Sequence, residues 1–257
     1  ARLAAVFHGL TRIQAACGLT MVGITGTNGK STSAYMMRSL LRTAGKPAAM
    51  LGTIEYDLIG RRIPASLTTP GPVVLTKFLV EAHSAGARYG VMEVSSHSLD
   101  QRRTDGIRFS IAVFTNLTQD HLDYHHTREN YLRAKRRLFE GLAGDAIAVV
   151  NADDPAAEEM VEDCRARVLR YGMNGPADIR AAIIEEGRSG CRFVLHHGTG
   201  EFEVFTPLAG RHNIANALAA AAAGLALGLE APVVQEGLAA LTQVPGRLQR
   251  IETGELG

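Results

Sequence analysis

The 257-residue sequence predicts an α/β fold: a doubly wound, mostly parallel sheet with helices on both faces, plus a small antiparallel sheet. Short apolar, β-branched runs alternate with longer segments of helical spacing between Met21 and Cys164, the pattern of successive βαβ units. The first of these runs passes through a glycine-rich loop straight into a helix, at Gly26-Thr-Asn-Gly-Lys-Ser-Thr32. Between Ala177 and Pro207 the rhythm changes to closely spaced runs with no helix between them.

Residues 1–20 carry a weak helical pattern at Leu3, Val6, Phe7 and Leu10, then no clear period. They are expected to be a linker or the remnant of a preceding domain. Met21 to Thr25 suits a buried parallel strand, because strands covered on both faces read as continuous apolar runs. Ser31 to Thr43 has helical spacing at Tyr35, Met36, Leu40 and Leu41, and Gly45-Lys-Pro47 stops it. Ala48 to Leu51 is a strand, and Pro72 to Ala85 a helix with proline at its start. Tyr89 to Val94 and Ile107 to Thr115 are strands. Thr127 to Leu142 is a helix with Thr127 as N-cap and Glu129 and Asn130 in its first turn. A strand at Ile147 to Asn151, a helix near Pro155 to Cys164 and a strand at Arg167 to Tyr171 complete the alternation.

In 177–207, the runs Ile179 to Glu185, Cys191 to His196 and Glu201 to Phe205 are separated by glycine-containing turns. They read as an antiparallel meander beside the main sheet. Arg211 to Leu229 and Pro232 to Leu241 return to helix, and Pro245-Gly246 is a break. The main domain is therefore placed at 21–245, and 246–257 is expected to begin a further domain.

Apolar residues make up 46% of the chain and charged residues 21%, as in an ordinary globular protein. The formal net charge of +1, from 27 basic and 26 acidic side chains, offers no field to draw nucleic acid or an anionic membrane. The 3 cysteines, Cys17, Cys164 and Cys191, are scattered and form no CxxC pair. That argues against a disulfide framework or a zinc site and suits a reducing cytoplasm. The mostly alanine run Ala217 to Leu229 is too short to span a bilayer and reads as a buried helix. A monomer is expected.

The loop Gly26, Thr27, Asn28, Gly29, Lys30, Ser31, Thr32 lies between a strand and a helix. That placement aims backbone N–H groups and a helix N-terminus at an anion. Lys30 adds a charge for β- and γ-phosphates, and Ser31 the hydroxyl that ligates Mg²⁺ in such loops. The strict pattern would put glycine at position 24; the chain has Ile24, with glycines at 23 and 26.

Further motifs follow in order: Thr68-Thr-Pro70, Met92-Glu-Val-Ser-Ser-His97, Val113-Phe-Thr-Asn-Leu117, Asp120-His-Leu-Asp123 and Tyr131-Leu-Arg-Ala-Lys135. After them come Gly210-Arg-His-Asn213 with Asn216, and Pro245-Gly-Arg247. Together with the shifted loop they resemble the Mur ligases over roughly Met21 to Arg247. Within that family, Thr68-Thr-Pro70 and Glu-Val-Ser-Ser-His resemble the MurE branch, which adds the third residue to UDP-N-acetylmuramoyl-L-Ala-D-Glu in peptidoglycan precursor synthesis.

The resemblance implies a central ATP-binding domain of a bacterial cytoplasmic ligase, flanked in complete members by a domain for the uridine end and one for the incoming amino acid. The implied reaction phosphorylates a carboxylate with ATP; an amine then attacks the acyl phosphate and expels phosphate. Positioning and charge neutralisation around the γ-phosphoryl group dominate such catalysis. By resemblance Lys30, Glu93, His121 and Lys135 are catalytic, and Ser31, Glu93, His121 and Lys135 serve two Mg²⁺ ions. Read from the residues alone, Glu93 is equally a solvated strand-end carboxylate, and Lys135 in Arg133-Ala-Lys-Arg-Arg137 a solvated basic helix face. An ammonium cannot ligate a cation, and the family's matching lysine is carbamylated by CO₂. His125 and His126 are taken as surface residues.

Thr68, Thr69, Ser95, Gln101 and Arg103 match positions that hold the muramoyl-dipeptide. Asn116, His212, Asn213, Asn216 and Arg247 match the nucleotide side, with simple capping an alternative for Asn213. The family has asparagine before the paired threonines where this chain has Leu67, which removes one side-chain hydrogen bond. Other ligases sharing the core, including folylpolyglutamate and cyanophycin synthetases, are the competing enzyme reading, and a non-catalytic nucleotide-binding module the competing reading from another class.

Overall fold

The computed structural model describes residues 1–16, 18–198 and 200–247. Two short helices, α1 (Arg2–Phe7) and α2 (Leu10–Ala15), precede strand β1 (Thr20–Thr25) and helix α3 (Lys30–Thr43). Next come β2 (Ala48–Leu51), β3 (Glu55–Asp57), β4 (Arg62–Pro64), α4 (Pro72–Ser84), β5 (Tyr89–Glu93) and α5 (Ser96–Asp100). These are followed by β6 (Ile111–Phe114), α6 (Leu122–His125), α7 (Arg128–Glu140), β7 (Ile147–Asn151), α8 (Ala157–Val161) and β8 (Arg167–Gly172). The last elements are β9 (Ile179–Gly187), β10 (Gly190–His197), β11 (Gly200–Thr206), α9 (Arg211–Ala226) and α10 (Ala231–Ala239).

All these strands join one sheet, in the order β11-β10-β9-β8-β7-β6-β1-β5-β2-β3-β4. Neighbours from β2 to β9 run parallel, and both flanks finish in antiparallel pairs. The antiparallel part expected over 177–207 forms, but as an extension of the main sheet. Tyr171 and Gly172 of β8 pair with Ile179 and Arg180, so the meander grows from an open edge. At the other edge, β3 and β4 are three residues each, too short to show a period of two.

Alternate residues of the central strands feed two cores. Val22, Ile24, Ile111 and Val113 face α3, α9 and α10, whereas Met21, Ala112 and Phe114 face α4 and α7. That division is the pleat of a sheet covered on both faces. Helices α1 and α2 pack onto the second core through Ala5 and Leu10. Gln14 Nε2 donates to Arg108 O (2.8 Å), and Arg108 N donates to Gln14 Oε1 (3.0 Å). Of the cysteines, Cys164 and Cys191 are free; Cys17 lies outside the described residues. So does 248–257, nearly all of the stretch expected to begin a further domain.

The chain winds from β1 outward to β2, returns to β5 beside β1, and then crosses to β6 on β1's other side. Doubly wound sheets bind ligands at such a switch point, beyond the carboxyl ends of the strands. Here those ends carry the Gly26–Thr32 loop after β1, Glu93 at the end of β5, and Thr115 with Asn116 after β6.

Candidate active site

The glycine-rich loop is held from below by the segment after β6. Thr27 N donates to Asn116 O (2.8 Å), Asn28 N to Asn116 Oδ1 (2.9 Å), and Thr115 Oγ1 to Asn28 O (2.6 Å). Asn116 therefore braces the loop, with its side chain committed to loop backbone rather than lining the cavity above it. Gly29 opens α3 with φ 85°, and a Cβ there would meet Asn216 Oδ1 at 2.2 Å. Only glycine meets both demands. The N–H groups of the first turn of α3 have no intrahelical acceptors and point into the cavity with the positive end of the helix dipole.

Lys30 Nζ donates to Gly26 O and Thr27 O, each at 2.8 Å, and Lys135 Nζ donates to the same Gly26 O at 2.9 Å. Burial lowers the pKa of Lys30, offset in part by Glu93 and Asp120. Lys135 is only 1% exposed, and burial followed by the Lys30 charge holds it well below the usual lysine range. Helix α7 explains this placement. Thr127 Oγ1 caps it by accepting from Asn130 N (3.1 Å). Tyr131, Lys135, Leu138 and Phe139 then fall on the inward stripe. The Tyr131 ring lies 4.3 Å from Lys135 Nζ, and its hydroxyl, pushed up to a pKa of about 12 by burial, is 3.1 Å from Thr27 Oγ1.

Glu93 is a buried carboxylate, 1% exposed. Ser31 Oγ donates to its Oε2 (2.9 Å), and Thr53 donates to both oxygens, from N (2.8 Å) and Oγ1 (3.0 Å). His121, in a left-handed conformation at the start of α6 (φ 54°), is exposed, with Nε2 3.6 Å from Asp120 Oδ2 and its ring against His97 and Tyr131. His125 departs from its surface assignment. It is 5% exposed and shares a 2.9 Å hydrogen bond with Ser96 Oγ, because the single turn of α6 rolls it inward against His97 and Tyr131. His126 is exposed.

On the acceptor side, Thr68 lines the cavity, and Thr69 is buried behind it. Thr69 Oγ1 donates to Glu93 O (2.9 Å) and accepts from Ser95 N (3.1 Å). Ser95 Oγ caps α5 by accepting from Ser98 N (3.1 Å). Arg103 Nη1 donates to Thr69 O (3.0 Å) and its Nε to Gln101 Oε1 (2.8 Å), so these two side chains interlock beside the threonine loop and do not line the cavity. Leu67 is exposed, and its backbone N–H donates to Tyr56 Oη (3.1 Å).

On the opposite wall, Asn213 Nδ2 donates to Ala209 O (2.8 Å), the capping alternative in part. Asn216 Nδ2 donates to Asn213 Oδ1 (3.1 Å), and Arg247 Nη2 to Ser31 Oγ (3.3 Å). The loop, Thr68, Glu93, Ser95, His121, Lys135, His212, Asn213, Asn216 and Arg247 all line one cavity of about 470 Å³. Thr53 also lines it and was not singled out from the sequence. Its one available signal was position, two residues past an apolar strand where α/β sites are built.

Residues 24–224 match the Mur ligase middle domain. The chain belongs to the Mur ligase family. It is 43% identical over 257 residues to the UDP-N-acetylmuramoyl-L-alanyl-D-glutamate–2,6-diaminopimelate ligase of Geobacter metallireducens, covering 98% of this chain and 50% of that protein. To the enzyme of the same name from Solibacter usitatus it is 45% identical over 239 residues, covering 92% and 48%. A solved structure of a ligase with that name aligns with TM-score 0.82 and 32% identity, over 92% of this chain and 49% of the other. MurF from Acinetobacter baumannii aligns with TM-score 0.79 and 26% identity, over 98% and 52%. This Mur ligase middle domain thus spans about half the length of the relatives it matches. Among its described residues, no helix is long and apolar enough to cross a membrane.

Proposed function

We propose that residues 21–245 are the ATP-binding domain of a bacterial cytoplasmic ligase that adds the third amino acid to UDP-N-acetylmuramoyl-L-Ala-D-Glu. The observation that carries the reading is the convergence of the phosphate loop, Glu93, His121 and Lys135 on one cavity. The matched relatives are about twice as long, so the uridine end and the incoming amine are assigned to parts of the ligase beyond these residues. Diaminopimelate, the amino acid in the relatives' names, is the first candidate for the amine. The ligase is read as a monomer.

In this reading the first-turn N–H groups of α3 and Lys30 hold the β- and γ-phosphates of ATP. Asn213, Asn216, His212 and Arg247 flank the rest of the nucleotide. A carboxylate oxygen of the acceptor attacks the γ-phosphorus, the β–γ bridging bond breaks, and ADP leaves. The amine then adds to the acyl phosphate carbonyl, loses its proton, and expels phosphate. Thr68 and Ser95 orient the acceptor from the cavity wall, while Arg103 and Gln101 brace the threonine loop beside it through Thr69 O.

The residues suit magnesium. Glu93 and Ser31 are hard oxygen donors at the phosphate end, and among the described residues no basic side chain forms an ion pair with buried Glu93. A buried carboxylate without a counter-ion favours a cation beside it, and Mg²⁺ is commonly held by only one or two carboxylates, with waters and phosphates completing its shell. Such an ion would neutralise charge developing on the phosphates. Lys135 with His121 would serve a second ion once Lys135 carries a carbamate. Forming that carbamate requires a neutral amine to attack CO₂ and release a proton, and burial keeps Lys135 toward the neutral form.

The test offers the full-length ligase ATP, Mg²⁺, the UDP-muramoyl-dipeptide and a panel of amino acids, and follows phosphate release. Release that requires both the dipeptide and one amino acid is expected. Turnover only with other acceptors would instead assign the chain to another ligase of this superfamily.

A further inference from the structure

Thr53 joins the two halves of the cavity. It lies just beyond β2, and its N and Oγ1 hold Glu93 Oε1 at 2.8 Å and Oε2 at 3.0 Å, so a single residue fixes both oxygens of the buried carboxylate. The residue before it makes room: a Cβ on Gly52 would stand 2.3 Å from Glu93 Oε1. Thr53 Oγ1 also lies 3.1 Å from Thr68 Oγ1 on the acceptor side.

A hydroxyl has one proton to give. Glu93 is acceptor-only when ionised, so it takes the Thr53 proton, the stronger charge-assisted bond. Thr53 must then accept from Thr68. The chain of bonds therefore has one direction, Thr68 to Thr53 to Glu93, and Thr68 is left with only lone pairs to present to the cavity.

We propose that Thr53 is a positioning residue with two effects: it orients the Glu93 carboxylate, and it sets Thr68 as an acceptor for an N–H or O–H of the bound substrate, such as a peptide amide. The inference rests on the ligase reading above and adds a residue and a polarity to it. An acceptor-only Thr68 would bind an amide N–H and reject a carboxylate oxygen at the same point.

The test compares full-length wild type with Thr53→Val, Thr53→Ser, Thr68→Val and the Thr53→Val/Thr68→Val pair. Thr53→Val keeps the N–H to Glu93 Oε1 and the shape of the side chain while removing the hydroxyl. Its KM for the UDP-muramoyl-dipeptide is expected to rise about tenfold, the scale of one hydrogen bond to a buried partner. The KM for ATP at saturating Mg²⁺ should stay within about twofold. Thr53→Ser should restore the wild-type value. The two valine changes should be less than additive on that KM, because they interrupt one chain of bonds. Calorimetric titration of ADP across Mg²⁺ concentrations gives a readout independent of turnover: Thr53→Val should need more Mg²⁺ for half-maximal affinity. An unchanged dipeptide KM, additive valine effects, a serine variant as impaired as the valine, or an unshifted Mg²⁺ requirement would each overturn the proposal. If wild type does not use the dipeptide, the ligase reading fails instead, and the Mg²⁺ titration still decides the Thr53–Glu93 part.

Discussion

Lys135 Nζ lies 4.3 Å from the centre of the Tyr131 ring and donates to Gly26 O at 2.9 Å, within a stretch where Arg133 is exposed. Its folded-state pKa is depressed by burial, so the unfolded chain binds the proton more tightly. Below the folded pKa both states are protonated and the full penalty of a buried charge acts. Between the folded pKa and the unfolded value, stability rises with pH as the penalty is relieved. Replacing Lys135 with Met removes the charge while filling the space, and Lys30 still serves Gly26 O. The variant should therefore be more stable than wild type by about 1–2 kcal/mol at pH 6, with the difference shrinking toward pH 10. Urea unfolding of the chain in CO₂-free buffer measures it; an advantage that grows with pH would contradict the assignment. In the full-length ligase, Lys135→Ala should lose most of its turnover, with partial rescue by small carboxylic acids. Full activity without them would exclude a carbamate. Charge composition reads the run around Lys135 as a solvated face, whereas the spacing of Tyr131, Leu138 and Phe139 turns Lys135 inward. His125 was misjudged because one turn of α6 is too short to show a phase. The phosphate loop was legible, since a glycine-rich turn between strand and helix fixes its path; Glu93 was only half legible, because a strand end places the carboxylate but does not say that it is buried.

At the scale of elements, α7 is the arm that carries Tyr131 and Lys135 into the cavity, and Thr127 secures its start. Thr127→Ala should cost about 1 kcal/mol of stability in urea unfolding. It should also weaken nucleotide binding modestly, because Tyr131 reaches Thr27 of the phosphate loop. An unchanged stability would mean that packing, not the cap, holds the helix end. The cap was readable from the sequence as threonine before a polar first turn. Strands β3 and β4 were not, being held by pairing with β2 and one another rather than by any pattern of their own. The β9–β11 meander was read as a unit, but its attachment was not. That attachment depends on two pairs, Tyr171–Ile179 and Gly172–Arg180, which no local signal announces.

For the whole molecule, the sheet order brings the ends of β1, β5 and β6 together at one switch point, and the cavity stands there with α9 and the Val244–Arg247 turn as its far wall. Alternation of strands and helices made that architecture predictable, whereas the common cavity required distant segments to meet. The 257-residue chain on its own is expected to bind nucleotide without forming amide; phosphate release by it in the presence of the dipeptide and an amino acid would contradict that division of labour. The central claim is that the Gly26–Thr32 loop is the phosphate site. Calorimetric titration of this chain with ATP and Mg²⁺, beside its Lys30→Met variant, tests it most directly. The account predicts one ATP per chain and an affinity lowered at least about tenfold in the variant, the loss of one charged contact. No binding to the parent chain, or equal affinity in the two proteins, would contradict it.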